Sequence, residues 1–268
     1  MDDDQANDQL DEQELDEQVL DEQQLSATEA SIERVIALLT NGSMEIEGLM
    51  PDSSNYTFLT SVTDDDLQGL AIYKPRRGER PLWDFPRGTL CQREAAAYVM
   101  SEALGWAIVP PTVLRDATEY GLGSVQLFID ADPQAHYFNL RGTDDAAFKR
   151  IAAFDLIVNN ADRKGGHILK ARDGHLWGID HGITFHTDPK LRTVIWEYAG
   201  EAIPAPLVKD IKRVADRLET PSDDLTEVMN ELLTRVEIEA LRRRIERVLK
   251  RARYPEPTGG RSMPWPPI

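Results

Sequence analysis

The sequence predicts an α+β protein of two lobes, with an N-terminal lobe rich in strands and a C-terminal lobe that is mostly helical. Segments typical of strands dominate residues 44–130, with one helical segment inserted among them. Segments typical of helices dominate residues 144–253, with one strand hairpin inserted. A cleft between two such lobes is a frequent location for a ligand site, and the motif with the most polar chemistry lies just past their junction.

Changes in composition divide the chain into four parts. Residues 1–25 hold eleven Asp and Glu with no Lys or Arg, and their leucines recur every five residues, which matches neither a helix nor a strand. We therefore expect a disordered acidic tail, with docking on a protein partner as the alternative. Residues 26–130 are expected to form the β-rich lobe, residues 131–255 the helical lobe, and residues 256–268 a loose Pro/Gly-rich tail.

The β-rich lobe is predicted from short runs of strand-forming residues between polar turns. A Ser-x-x-Glu capping box at Ser26 opens a helix that ends at Asn41-Gly42. The five expected strands are MEIEGLM, YTFLTSV, LQGLAIYK, PPTVLRD and SVQLFID. The helix inserted between the third and fourth strands is CQREAAAYVMSEALG, and its last glycine is a stop signal.

The helical lobe is predicted to begin with a helix over residues 144–161, which leads directly into the motif NNADRKGGHILK. A strand hairpin follows, formed by HILKARD and HLWGID around the turn Asp173-Gly174. The three remaining helical segments are PLVKDIKRVADRL, DLTEVMNELLTRV and EIEALRRRIERVLKRAR.

Charge and composition narrow the classes of partner. The net charge is −17, and without the eleven acids of the first 25 residues it is about −6, so a nucleic-acid partner is not expected. No apolar run reaches ~18 residues, so integral membrane contact is not expected either. Cys91 is the single cysteine and no secretion signal is visible, which favours a cytoplasmic location.

Two short loops carry the residues best suited to catalysis. Asp162 and Asp180 each follow a regular element beside glycine, and two such carboxylates can share the hard cation that phosphoryl transfer requires. One of them can instead orient a hydroxyl nucleophile, while Lys164 offsets charge on a transferring phosphoryl group. His167 lies five residues after Asp162, where kinase catalytic loops place a metal-binding amide, and an imidazole there suits softer divalent ions.

A lysine and a glutamate further upstream complete the candidate site. Lys74 ends a predicted strand in phase with Leu70 and Ile72, so we expect it to point inward and to need an anion. Glu94 opens the following helix, and a lysine–glutamate pair would hold the amine for phosphate contact. The alternative is a surface lysine and a glutamate that merely favours a helix N-terminus.

These segments, taken in order, resemble the phosphatidylinositol 3- and 4-kinase superfamily. The resemblance is greatest to the type II phosphatidylinositol 4-kinases. They share with this sequence a strand ending in Lys-Pro, a helix glutamate and an Ile-Val-Pro-x-Thr-like strand. Here these are Lys74-Pro75, Glu94 and the run IVPPT at residues 108–112. The bacterial HipA-like kinases also share an Asn-x-Asp start to the catalytic loop, as in NAD at residues 160–162, and a little-studied bacterial kinase-like family carries the same motifs.

The resemblance implies a protein-kinase-like fold with ATP and Mg²⁺ or Mn²⁺ in the cleft. It implies that Lys74 contacts the phosphates with support from Glu94, that Asp162 is catalytic, and that Asp180 holds metal. Two departures stand in the catalytic loop, because Lys164 replaces the family's histidine and His167 replaces its metal-binding asparagine.

Two further segments are candidates for nucleotide contact. Ser53, Ser54 and Asn55 lie in a turn between strands whose amides and hydroxyls can face phosphate, although a plain hairpin turn is an equal alternative. Gln126 and Phe128 lie near the lobe junction, where a kinase hinge binds adenine through its backbone.

We expect an ATP-dependent kinase that acts on a hydroxyl acceptor: a protein Ser/Thr, an inositol-type headgroup or a small polyol. The alternative is a nucleotide-binding pseudokinase that serves as a regulatory or interaction module.

Overall fold

Five antiparallel strands form the sheet of the N-terminal lobe, in the order β1-β2-β3-β5-β4. They are β1 (Ser43–Leu49), β2 (Phe58–Thr63), β3 (Gln68–Pro75), β4 (Thr112–Ala117) and β5 (Gly121–Leu127). The computed structural model describes residues 32–50, 55–117, 119–257 and 261–268. Each of the five strands overlaps a strand predicted from the sequence, although β5 begins and ends three residues earlier than predicted.

One face of this sheet is covered by the first helix, α1, whose described part spans residues 32–41. Leu38 and Leu39 of α1 pack with Val62, Tyr73 and Val125 of the strands, and all five side chains are buried. The alternation of strand residues between two faces is what lets one face meet the helix. The predicted acidic tail and the capping box at Ser26 lie outside the described residues.

Lys74 points inward and meets anions, as predicted, but it does so in the cleft and not in the apolar core of the sheet. Leu70 and Ile72 share its face of β3, whereas Ala71 and Tyr73 are the residues of this strand that are fully buried in that core. Leu70 is 42% exposed, so its face of β3 is not the packed one. The small Ala71 and the aromatic Tyr73 fill the core against α1, which turns the lysine toward the cleft.

Helix α2 (Leu90–Leu104) connects the two lobes. It follows the predicted range closely and ends at Gly105, whose φ of +70° is the left-handed conformation that glycine favours at a helix C-terminus. Its buried residues Ala97, Met100 and Leu104 belong to the hydrophobic core of the C-terminal lobe. The helix therefore packs into the larger core although the chain places it among the strands.

The C-terminal lobe consists of helices around one short hairpin. The helices are α3 (Tyr137–Leu140), α4 (Asp145–Val158), α5 (Ala205–Leu218), α6 (Asp224–Leu232) and α7 (Arg235–Arg251). The hairpin of β6 (Ile168–Lys170) and β7 (Leu176–Gly178) confirms the hairpin predicted around Asp173-Gly174. Within the described ranges, no helix combines the length and the apolar character that crossing a bilayer demands.

Helix α4 leads directly into the motif NNADRKGGHILK. Its N-terminus is capped by Asp144, whose side chain accepts a hydrogen bond from the amide of Ala147. It ends at Val158, three residues before the predicted end, because Asn159 adopts a left-handed conformation with φ of +56°. This early stop turns the chain sharply, so that the loop from residue 160 onward faces the cleft.

The C-terminal segment was expected to be loose, but residues 261–268 are hydrogen bonded to loops of the C-terminal lobe. The carbonyl oxygen of Ser262 accepts from the amide of Thr193 at 3.1 Å and from the indole of Trp196 at 3.2 Å. The carbonyl oxygen of Pro267 accepts from the amide of Gly165 at 2.7 Å. Proline and glycine exclude helix and sheet here, yet the carbonyl groups still satisfy backbone donors of the loops.

Candidate functional site

A cavity of about 190 Å³ lies between the lobes and gathers most of the residues singled out in the sequence. The side chains that line it from the candidate set are Asn55, Lys74, Glu94, Asp162, Lys164, His167 and Asp180. Because these residues span more than a hundred positions, their convergence is a property of the fold and not of any one motif.

Lys74 is the centre of the charged cluster. Its Nζ lies 2.5 Å from Oε1 of Glu94 and 3.0 Å from Oδ1 of Asp180. Burial alone would lower the pKa of Lys74, but the charges of Asp180 and Glu94 together raise it above its ordinary value. The amine is therefore a fixed positive charge that joins β3, α2 and the loop after β7.

Glu94 also holds the loop that carries Asp180. Its second oxygen, Oε2, accepts a hydrogen bond of 2.9 Å from the backbone amide of His181. Asp180 has a φ of +60°, an uncommon conformation for a residue other than glycine, and the fold must hold it there. The charge of Lys74, opposed by burial, lowers the pKa of Asp180 below its ordinary range, so this carboxylate stays ionised.

His167 and Asp180 face each other, with Nε2 of the imidazole 3.3 Å from Oδ2 of the carboxylate. Burial lowers the pKa of His167 to about 4, so the imidazole is neutral at pH 7. One carboxylate and one neutral imidazole suit a divalent cation that takes its other ligands from substrate phosphates. In the described ranges no group of three or more His, Cys, Asp or Glu is placed to bind a metal by itself. The donor set thus fits a cation bound together with a nucleotide.

Asp162 lies in the loop that follows α4. Its backbone amide donates to Oδ1 of Asn160 at 2.9 Å, which shapes the turn, and its Oδ2 lies 3.6 Å from Nζ of Lys164. Burial raises the pKa of Asp162, the charge of Lys164 lowers it, and Asp180 raises it again. The result is a carboxyl group that binds a proton more readily than an ordinary aspartate.

A buried ion pair behind these loops is part of the site but was not predicted. Arg163 pairs with Asp155 of α4 at 3.0 Å, and it donates to the carbonyl oxygens of His167 at 3.1 Å and Ile179 at 3.0 Å. One guanidinium thus fixes the loop of Asp162 and the loop of Asp180 relative to α4. The feature of the sequence that could have indicated this ion pair is Asp155, an acid within the apolar run AAFDLIV.

The other residues predicted to contact the nucleotide do not all lie in the cavity. Ser53 and Ser54 lie outside the described residues, and Asn55 uses its Oδ1 to accept from the amide of Arg80 at 2.8 Å. Gln126 and Phe128 do not line the cavity. Gln126 pairs within the sheet, and the amide of Phe128 donates to Leu70 at 2.9 Å, so the structure does not bring these two residues to the lysine cluster.

The strand-borne lysine, its helix glutamate and the two loop aspartates, set between a sheet lobe and a helical lobe, define a kinase-like protein. The family described as phosphatidylinositol 3- and 4-kinase has a model that matches residues 92–248, more than half of the chain. The chain belongs to this family.

Two curated relatives extend the comparison. "Protein Rv2133c" of Mycobacterium tuberculosis is 38% identical over 265 residues, covering 86% of this chain and 94% of the relative. "Phosphatidylinositol 4-kinase gamma 4" of Oryza sativa is 31% identical over 128 residues, covering 41% of this chain and 23% of the plant protein. The match to the plant protein therefore spans less than a quarter of that protein's length.

Solved structures show the same fold. A structure of hydra Fam20 with sugar has a TM-score of 0.54 at 14% identity, covering 83% of this chain and 89% of that chain. A Golgi casein kinase with Mn/ADP bound has a TM-score of 0.51 at 15% identity, covering 83% and 75%. The family and the fold together support a phosphotransferase of the kinase type.

Proposed function

We propose that this protein transfers the γ-phosphoryl group of ATP to a hydroxyl acceptor in the cleft between the lobes. The observation that carries the proposal is the contact of one amine, on Lys74, with the carboxylates of both Glu94 and Asp180. A lysine held by a helix glutamate beside a loop aspartate is the arrangement that kinases use to position nucleotide phosphates.

Lys74 binds the phosphates of ATP in this proposal, and Glu94 holds its side chain in place. Nζ of Lys74 lies 3.0 Å from Asp180, whose carboxylate neutralises part of the positive charge of the amine. A phosphate group that enters the cleft would replace Asp180 in part as the partner of this amine. Leu70 and Ile72 are in phase with Lys74 on β3 and would offer the adenine ring an apolar surface next to the residues that line the cavity. Contacts of Ser53, Ser54 and Asn55 with phosphate, and of Gln126 and Phe128 with adenine, remain predictions.

Asp180 and His167 would hold Mg²⁺ or Mn²⁺ together with the phosphate oxygens. The metal would neutralise negative charge on the phosphates as it develops in the reaction. The Golgi casein kinase of similar fold, solved with Mn/ADP bound, supports the use of a nucleotide with a divalent ion.

Asp162 orients the acceptor hydroxyl and accepts its proton, and Lys164, 3.6 Å away, offsets charge on the group being transferred. The acceptor is a protein Ser/Thr, an inositol-type headgroup or a small polyol. The likeness to plant proteins named phosphatidylinositol 4-kinases adds support for the inositol-type headgroup.

The test is transfer of label from [γ-³²P]ATP with Mg²⁺ or Mn²⁺ to a panel of acceptors: phosphatidylinositol vesicles, free inositol, glycerol and Ser/Thr-containing peptides. Asp180→Ala should abolish transfer and ATP hydrolysis. Asp130→Ala is the matched control, since Asp130 is an exposed acid paired with Arg172 outside the cavity and should leave the rate unchanged.

Three outcomes separate the hypotheses. Turnover that requires Asp180 supports the kinase. Metal-dependent ATP binding with no turnover on any acceptor, and no hydrolysis, would instead identify the nucleotide-binding pseudokinase. An unchanged melting temperature with ATP and either metal would contradict both, because a ligand that binds the folded state must stabilise it.

A further inference from the structure

A second concavity, of about 560 Å³, lies on the C-terminal lobe outside the catalytic cavity. It is bordered by the end of α4, by residues 189–196 and by the C-terminal half of α7. Six arginines line it: Arg192, Arg244, Arg247, Arg251, Arg253 and Arg261. We call this feature the arginine groove.

None of these six arginines forms an ion pair in the part of the chain that the structure describes, whereas Arg172, Arg217 and Arg235 each pair with a nearby carboxylate. Some arginines elsewhere are also without an ion pair, but here six lie together in one concavity. They do so in a chain that has 47 acids for 30 bases. Glu256 is the one acid among the described residues of the lining, and Lys190 pairs with Asp84 at 2.7 Å.

The burial of Arg244 places a positive charge in the groove where it is energetically unfavourable. Its side chain is buried, and its guanidinium donates to the carbonyl oxygens of Ile157 at 2.9 Å and His186 at 2.7 Å. Burial, followed by the charges of Arg247 and Arg243, lowers its pKa to about 10. Like charges this close repel one another, and an anion bound in the groove would relieve that repulsion.

The groove also has an apolar component. Leu156, Leu191, Trp196 and Val248 lie among the arginines in its lining. A small, fully polar anion would leave this apolar surface without a partner. The lining fits a ligand that carries acidic groups and aliphatic groups together.

The chain itself contains a segment of that chemistry. Residues 10–25 read LDEQELDEQVLDEQQL, so each of three units supplies a leucine followed directly by Asp-Glu. Residues 1–25 carry eleven acids and no bases. The six guanidinium groups have apolar neighbours and form no ion pair among the described residues, while this segment holds acids with apolar neighbours and no base.

We propose that the acidic segment 1–25 docks in the arginine groove of its own chain. If residues 1–15, which hold seven of the eleven acids, make the contacts, residues 16–31 remain as a linker that spans up to about 55 Å at ~3.4 Å per residue. A domain of this size is about 45 Å across. The groove adjoins the catalytic loop, since the carbonyl oxygen of Arg192 accepts from the amide of Arg163 at 3.0 Å.

The experiment uses the full chain and a neutral-tail variant, in which every Asp and Glu within residues 1–25 is replaced by Asn and Gln. A fluorescent peptide of residues 1–25 is titrated against each protein, and its anisotropy is followed at 50 mM and 500 mM salt. The peptide should bind the neutral-tail variant. It should bind the natural chain at least tenfold more weakly, because a tethered segment competes at an effective concentration near millimolar.

Charge reversal locates the binding surface. In the neutral-tail background, Arg247→Glu with Arg251→Glu should weaken peptide binding at least tenfold and remove most of its salt dependence. Arg172→Glu with Arg235→Glu reverses the same number of charges outside the groove and should leave binding within twofold. Melting temperatures with and without ATP check that every variant is folded.

Several results would overturn the proposal. Equal peptide affinity for the natural chain and the neutral-tail variant would show that the tail does not occupy the groove. Equal loss of binding in both charge-reversal variants would show an unspecific attraction. Binding of inorganic tripolyphosphate, but not of the peptide, would make the groove a site for small polyanions instead.

Discussion

Arg163 and Asp155 form an ion pair in which neither side chain has any exposed surface. The guanidinium that is anchored in this way also donates to the carbonyl oxygen of Ile179, the residue before Asp180. The relative position of the two loop aspartates thus depends on an ion pair that forms no hydrogen bond with either of their carboxylates.

Replacing Asp155 by Asn should lower the free energy of unfolding by about 3 kcal/mol, because it leaves the charge of Arg163 buried and unpaired. Denaturant unfolding followed by fluorescence measures the change. Glu239→Gln, which breaks the exposed pair with Arg235, is the control and should cost less than ~0.5 kcal/mol. A loss below ~1 kcal/mol for Asp155→Asn would show that the buried pair is dispensable.

Glu94→Gln should weaken ATP binding about tenfold. The substitution keeps the shape of the side chain but removes the negative charge that holds Lys74, and a charge-assisted contact of this kind contributes on the order of 1.4 kcal/mol. Isothermal titration with ATP and Mn²⁺ measures the affinity. Glu102→Gln changes an exposed acid at the other end of the same helix and should bind ATP like the natural protein. An unchanged affinity for Glu94→Gln would separate the lysine–glutamate pair from nucleotide binding.

The pH dependence of kcat should reflect the ionisation of Asp162. The carboxylate must be ionised to accept the proton of the acceptor, so activity is lost as pH falls through its pKa, which burial raises above the ordinary value. Lys164 lowers that pKa, so Lys164→Met should move the acid limb of kcat to higher pH. Lys149→Met, which removes a lysine paired with Glu201 away from the cleft, should leave the limb where it is. A limb that moves in neither variant would mean that another group controls it.

His167→Asn should change the metal preference. An imidazole suits softer divalent ions than an amide oxygen does, so the ratio of the rate with Mn²⁺ to the rate with Mg²⁺ should fall several-fold in the variant. His175→Asn is the control, since His175 hydrogen bonds the carbonyl oxygen of Ala107 and lies outside the cavity. If the ratio stays constant in His167→Asn, the histidine does not contact the metal.

The elements of the fold could be predicted because their signals are local. Alternating apolar residues, helical periodicity and glycine stops identified the sheet strands, the hairpin and the main helices. The face of β3 that packs against α1 could not be identified from the strand alone, because Leu70 and Ile72 are as apolar as a core pair, yet the structure buries Ala71 and Tyr73. Which face of a strand is buried depends on the surface that packs against it, and the sequence of the strand alone does not contain that information.

The residues of the candidate site likewise divide into those with a local signal in the sequence and those that only the fold brings together. Lys74, Glu94, Asp162 and Asp180 were visible as polar residues at the ends of elements. Arg163 was visible only as one more base in a polar loop, since its partner is a side chain inside a helix. The arginine groove was not predicted at all, because its lining comes from segments between residues 156 and 261 that only the folded chain brings together.

Helix α2 has a consequence for how such an enzyme can be controlled. Kinases commonly switch off by moving the helix that bears the glutamate away from the lysine. Here Ala97, Met100 and Leu104 of that helix are anchored in the C-terminal core, and exposing the last two alone would cost about 3 to 6 kcal/mol. Moving this helix away from Lys74 would therefore disturb the core of the C-terminal lobe, so we expect the pair of Lys74 and Glu94 to be in place before any ligand binds.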